Sequence, residues 1–355
     1  MPRRSLPLFV VVAATIFAAM YFATALPRIF YPYDLDFIED SMLMQSLRFA
    51  EGRAVFTAPN VEFAPHVYMP LYSWLGGVLL RIFGVGHTPL RALSFAATLT
   101  TAALIFFIAH RESGARWLAA VCAGLYLGGY RLNGFWYELA RVDSLFVALS
   151  MIGLTLGLYG RDSTARMLIS AIVLALAFFT KQTALAFGAC VAVYLWITIR
   201  RRSGLFLGAW IGLIGIGIAI LNAATDGWFF YHTFIVAGAD RVEVGRVFRY
   251  AAFELFGVMG GLSVMAAAAG VMGWRRLGIG VLRNRPWLLD IGAAAIISGA
   301  GRASGRRRRW PSCGICANGA VCRCRKISWR GFAGGITRRS FRVKVCSRPT
   351  RRYGR

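Results

Sequence analysis

Nine apolar stretches, free of charge or nearly so, recur along the first 300 residues, at about 6–26, 92–109, 117–130, 144–159, 167–180, 183–199, 205–224, 251–273 and 287–300. Hydrocarbon offers no water to bond a bare N–H or C=O, so a run of this kind satisfies its own backbone by forming a helix. The series therefore predicts an all-α polytopic membrane protein of about nine spans. Composition points the same way: 57% of the residues are hydrophobic, 14% are aromatic and mean hydropathy is +0.57, more than one soluble core buries. A soluble enzyme is excluded.

Several runs are shorter than the roughly 20 residues of a full span, so tilt, bilayer thinning and Arg snorkelling must help them cross. The long run at Leu6–Leu26 follows Arg3 and Arg4 and carries no small-residue cleavage site, so it reads as a retained first span. A tenth apolar stretch, Met69–Gly84, sets the sidedness of everything after it. If it does not cross, Arg3, Arg4, Arg111, Arg116, the Arg200–Arg202 triplet and Arg275–Arg285 all fall inside; if it does, the last two groups move outside. The positive-inside rule selects the first arrangement and makes 69–84 an interfacial or re-entrant helix on the outer face. The same parity divides 167–199 into two spans with an outer turn at Lys181-Gln182. The outer face then holds the loops 27–91, 131–143 and 225–250.

Charge is unevenly spread. Residues 301–355 hold 17 of the 41 Lys and Arg and none of the 15 Asp and Glu, leaving the first 300 residues at net +9. Five of the seven cysteines also lie in this tail, at Cys313, Cys316, Cys322, Cys324 and Cys346. Cys-x2-Cys followed by Cys-x-Cys has the outline of a zinc site. Yet 15 Arg, no acid and no apolar periodicity is the composition of an out-of-frame reading of a GC-rich gene, and it predicts a disordered basic tail on a truncated or frameshifted chain. The division expected is a membrane module over 1–300 and an Arg/Cys-rich tail over 301–355, with no specific nucleic-acid partner.

Candidate chemistry sits on the outer loops. The first opens Asp34-Leu-Asp36-Phe-Ile-Glu39-Asp40, and Ser41–Ala50 is helix-compatible with Gly52 ending it. Asp36 and Glu39, three residues apart, are expected on one helix face and so to converge on a substrate. Next come His66, Tyr68, Tyr72 and Arg91, and the second outer loop supplies Trp136-Tyr137-Glu138-Leu-Ala-Arg141-Val-Asp143. Arg141 and Asp143 at the head of an apolar helix need partners, because an unpaired charge beside hydrocarbon costs several kcal/mol. Lys181 in its turn is the same kind of signal.

Asp36-x-x-Glu39, Tyr68-Met-Pro70-Leu-Tyr72, Arg91-Ala-Leu-Ser, Trp136 to Leu145 and Ala177-Phe-Phe-Thr-Lys181-Gln182 together resemble bacterial glycosyltransferase family 39-like membrane proteins of the GT-C superfamily. The resemblance runs in order over residues 1–300. It implies a GT-C-like helix bundle with a juxtamembrane helix at 69–84. It further implies a multi-pass enzyme of the bacterial inner membrane, N-terminus cytoplasmic, that moves a sugar from a polyprenyl-phosphate donor to a glycan, lipid or protein acceptor on the periplasmic face. Position by position it makes Asp36, Glu39 and Asp143 the catalytic acids. Where the common pattern places Gly after the second acid this chain has Asp40, so the choice of base among the first-loop carboxylates stays open. The chemistry asks for cations beside the departing lipid phosphate, and Arg91, Arg141 and Lys181 are placed for it, with Tyr68, Tyr72 and His66 lining the substrate. No cofactor or metal is indicated, although a divalent cation is compatible. A chain truncated after residue 300 is expected to lose activity, and a non-enzymatic sugar-lipid carrier or a membrane scaffold is the alternative.

Overall fold

The computed structural model describes residues 5–59, 63–160, 162–239, 271, 275, 324–327 and 341–344. It divides into two compact units, Met1–Gly305 and Arg306–Arg355.

Nine helices of more than ten residues build the described part of the first unit. They are α1 (Ser5–Ile29), α2 (Phe37–Ala50), α3 (Leu71–Phe83), α4 (His87–Ser113), α5 (Arg116–Gly128), α6 (Val142–Tyr159), α7 (Thr164–Thr180), α8 (Leu185–Thr198) and α9 (Arg200–Ala223). Seven of the nine apolar runs are thus helices; the remaining two, 251–273 and 287–300, lie outside the described residues save for Val271. Four helices are long and apolar enough to cross a bilayer: Leu8–Ile29 within α1, then α4, α6 and α9. The other three, α5, α7 and α8, have 13, 17 and 14 residues and reach a full crossing only where the membrane thins or the bundle covers their ends.

Packing departs from chain order at both ends of the bundle. α1 lies on α5, α4 joins α5 to α6, α6 packs on α7, and α9 closes over α7 and α8. Small residues set the closest approaches. A Cβ at Gly153 of α6 would meet Leu174 of α7 at 2.5 Å, so these two helices touch nearly backbone to side chain. The inner faces of α6–α9 bury Phe146, Leu174, Phe178, Val191, Tyr194 and Trp210. Outward they present Ile172, Trp196, Ile211, Ile216 and Ile220, a surface that fits lipid and not water.

α2 and α3 form a hairpin that touches α4 and, through α3, α7. Gly52, at φ +69°, ends α2 as the sequence predicts. α3 has 13 residues, about 20 Å at 1.5 Å per residue, too short for a hydrocarbon core of roughly 30 Å. It lies on α2 through Gly77, whose Cβ would meet Phe49 Cβ at 2.8 Å, and it shows Trp74, Val78 and Ile82 on its outer face.

In the second unit the described residues are two short strands, β1 (Cys324–Ile327) and β2 (Phe341–Lys344), paired antiparallel with Cys324 opposite Lys344. A lone two-stranded ribbon is marginal in water. Cys313, Cys316 and Cys322, the remainder of the suspected zinc pattern, and Cys346 lie outside the described residues.

Candidate active site

The site is assembled where the start of α2, the loop before α6 and the turn between α7 and α8 meet. Asp36 is the N-cap of α2: its backbone is extended and its Oδ1 accepts the Ile38 N–H at 3.1 Å. An aspartate is strongly favoured there because it satisfies one of the four free donors of a helix N-terminus. Its other oxygen, Oδ2, receives Arg141 Nη1 at 2.6 Å. Arg141 caps the start of α6 and also donates through Nε to Asp143 Oδ2 at 3.1 Å. Asp143 Oδ1 in turn accepts Lys181 Nζ at 2.6 Å. Lys181 is held in an extended conformation at the end of α7, so its side chain leaves the helix toward α6.

The result is a row of alternating charge, Asp36, Arg141, Asp143 and Lys181, whose side chains are 12%, 6%, 22% and 26% exposed. Opposite signs in contact offset the cost of partial burial, and the row is neutral as a whole. Aromatic rings frame it. The Arg141 guanidinium lies 4.1 Å from the Trp136 ring centre, and the Lys181 ammonium 5.8 Å from that of Phe146. Tyr68, in the loop before α3, feels Asp143, Lys181, Arg141 and Asp36; burial, then the Asp143 charge, pushes its hydroxyl above the usual phenol range. His66 stacks on Tyr68 with ring centres 4.6 Å apart. Burial first, and Arg141 second, hold its imidazole below the ordinary histidine value. His66 is therefore neutral near pH 7 and brings no cation to a phosphate.

Three expected site residues are turned elsewhere. Glu39 does not converge with Asp36 on an open face; it is fully buried against Arg91, itself fully buried. Burial alone would raise the Glu39 pKa, but the Arg91 hydrogen bond and the N–H groups of Ala140 and Leu35 hold it below the usual carboxylate range. Arg91, expected beside the donor phosphate, spends its guanidinium on Glu39 and on loop carbonyls. Tyr72 is also fully buried, its hydroxyl 3.0 Å from both Leu90 O and Ser94 Oγ. The reason for the Glu39 difference is visible in the sequence: Asp36-x-x-Glu39 has the spacing of a capping box, in which the third helical residue reaches back to the backbone.

Asp40 is 63% exposed and its carboxylate meets His87 at 3.1 Å. His232 is buried, with Nε2 2.9 Å from Thr57 O, and so has a structural partner. Arg241, Arg246 and Arg249 lie outside the described residues. Sequence reasoning passed over two contributors. Gln182 donates to Val67 O at 3.2 Å and Thr233 O at 2.9 Å, tying the Lys181 turn to the Tyr68 loop. Glu138 is buried with Arg28 as its ion-pair partner; burial raises its pKa, and Arg28 opposes that rise. Neither carries a periodic signal, since both act on chain segments far away in sequence. Among the described residues no cluster of three His, Cys, Asp or Glu is placed to hold a metal ion.

A wholly apolar groove of about 300 Å³ runs between α3, α7 and α9, lined by Trp74, Leu176, Phe179, Gly217 and Ile220 among others.

The sequence model of the dolichyl-phosphate-mannose-protein mannosyltransferase family matches residues 65–225. No curated protein and no solved structure matches the chain. The matched stretch contains Tyr68, Arg91, Arg141, Asp143 and Lys181, and Asp36 joins it through its contact with Arg141. Over residues 65–225 the chain is thus similar to the mannosyltransferases of that family, a likeness that supports a GT-C-like glycosyltransferase.

Proposed function

We propose that this chain transfers a sugar from a polyprenyl-phosphate donor to a hydroxyl acceptor at the outer face of a bacterial inner membrane, with Asp36 as general base. The observation that carries this reading is the row itself. One of its ends is a partly exposed carboxylate fixed by a helix cap, and the other is a partly exposed ammonium. Glu39 is sealed away and Asp40 meets His87, while Asp36 is the first-loop carboxylate bonded to Arg141 and so part of the row.

In the step proposed, the acceptor oxygen attacks the anomeric carbon and the bond from that carbon to the phosphate oxygen breaks. The electron pair leaves with the polyprenyl phosphate, and the acceptor proton passes to Asp36. Configuration at the carbon inverts, and the transition state is oxocarbenium-like. Lys181 and Arg141 face the charge that grows on the leaving phosphate, and Asp143 orients both cations. Tyr68 and Trp136 flank the sugar, and the groove between α3, α7 and α9 takes the isoprenoid tail. The N-terminus is cytoplasmic, an orientation supported by the distribution of arginine.

Membranes containing the full chain, supplied with polyprenyl-phosphate mannose tritiated in the sugar, test the reading. Wild type should release polyprenyl phosphate and label an endogenous acceptor, and Asp36→Asn should lower turnover by 10²–10⁴-fold, the usual contribution of a general base, at unchanged protein level. Near-normal turnover in Asp36→Asn would remove Asp36 as base. Movement of intact lipid-linked sugar across the vesicle membrane that survives this substitution, with no transfer, would favour the carrier.

A further inference from the structure

The most completely bonded polar group in the described chain lies behind the charge row. An arginine has five N–H donors, and Arg91 uses all five. Nε donates to Glu39 Oε1 at 2.9 Å, Nη1 to the carbonyls of Arg28 at 2.9 Å and Tyr31 at 2.5 Å, and Nη2 to the carbonyl of Tyr33 at 2.7 Å and Glu39 Oε2 at 2.7 Å. The carboxylate of Glu39 is equally saturated. Besides Arg91, Oε1 accepts the Ala140 N–H at 2.8 Å and Oε2 accepts the Leu35 N–H at 2.7 Å.

The positions of those two N–H groups matter. Leu35 immediately precedes Asp36, and Ala140 immediately precedes Arg141. The two residues that meet across the site at 2.6 Å therefore each stand one residue beyond a peptide whose N–H is pinned by an oxygen of one carboxylate. Arg91 holds that carboxylate rigid and also grips the chain from the end of α1 to Tyr33, the segment that leads into Asp36.

We infer that Glu39 and Arg91 are positioning residues, a buried clamp that sets the separation of Asp36 and Arg141 and so the placement of the base. This inference rests on the assignment of Asp36 as base; the clamp geometry itself does not. Neither residue reaches the reacting atoms, since both are fully buried.

Glu39→Gln keeps the size of the side chain but turns one acceptor oxygen into an amide donor that faces a peptide N–H. A misplacement of about 1 Å at a reacting group lowers rate by roughly 100-fold. Glu39→Gln should therefore lower kcat by about that factor, with a smaller rise in KM for polyprenyl-phosphate mannose, because Lys181 is untouched and Arg141 shifts only through Ala140. In an Asp36→Asn background the same change should cost far less than in wild type, since most of its effect runs through the placement of Asp36.

A second readout needs no activity. Spin labels at Asp34→Cys and Leu132→Cys, both exposed positions, in a chain whose native cysteines are replaced by serine, should give a narrow distance distribution that broadens in Glu39→Gln. If Glu39→Gln fails to accumulate in membranes, Arg91→Lys replaces it: one ammonium cannot span three carbonyls and both carboxylate oxygens, and the same two results are expected. An unchanged distance distribution, turnover within two-fold of wild type, or a loss that multiplies with that of Asp36→Asn would overturn the inference. Full turnover in Asp36→Asn with a distribution that still broadens would instead refute the choice of base and leave the clamp standing.

Discussion

Replacing Lys181 by alanine separates the charge row's role in turnover from its role in folding. In the resting site Lys181 Nζ is 2.6 Å from Asp143 Oδ1, both side chains about a quarter exposed. An ion pair of that exposure contributes about 0–1 kcal/mol to stability, so Lys181→Ala should fold and insert normally. Its effect on the transition state is larger. With the leaving oxygen about 4 Å from Nζ on the side away from Asp143, one unit of developing charge interacts with the ammonium by roughly 4 kcal/mol at an effective dielectric constant of about 20. The Asp143 carboxylate, about 2.6 Å farther back, opposes this by roughly 2.5 kcal/mol. Lys181→Ala removes the attraction and leaves the repulsion, so turnover should fall by about three orders of magnitude. Adding Asp143→Asn then removes the repulsion, and the double variant should turn over faster than Lys181→Ala alone. Initial rates of polyprenyl phosphate release, with thermal unfolding in detergent as the control, decide the matter. Unchanged turnover in Lys181→Ala, or a double variant slower than the single one, would refute the assignment of Lys181 to the leaving phosphate.

Two further outcomes are expected. For topology, Ala58→Cys and Leu132→Cys, exposed in the loops proposed to lie outside, should react with a membrane-impermeant thiol reagent in intact cells, and Gly204→Cys, exposed near the start of α9, should not; labelling at 204 from outside would reverse the orientation. For pH, Glu39 has a folded pKa below its ordinary value of 4.5, so its contribution to stability is fully present above that value and lost as pH falls through the folded pKa. The difference in unfolding temperature between wild type and Glu39→Gln should hold constant from pH 7 to about pH 5 and shrink below about 4.5, since breaking a buried ion pair costs about 3–5 kcal/mol while the charge exists. A difference that persists undiminished at pH 3 would show that Glu39 is not held as a carboxylate.

Helix positions were legible in the sequence because, in lipid, the backbone code is local. A run of apolar residues must bond to itself, and seven of the nine runs with their punctuation already place α1 and α4–α9 to within a few residues. The break at Lys181, the stop at Gly52 and the short helix after Pro70 were legible for the same reason. The identity of each carboxylate's partner was not. Asp36 meets Arg141 105 residues away, and Glu39 meets Arg91 52 residues away, although Asp36 and Glu39 stand three apart in a pattern that suggested a common target. Charge type and spacing allow several such pairings. Which one forms depends on which helix ends arrive together, and that is set by the close packing of α6 on α7 through Gly153 and of α2 on α3 through Gly77. The sequence by itself therefore determined a membrane helix bundle with acids and cations gathered on one set of loops. Only the tertiary structure decided that Asp36 is left partly open beside Arg141 and Lys181 while Glu39 is sealed inside, because burial and pairing of a charge are properties of the whole packed bundle.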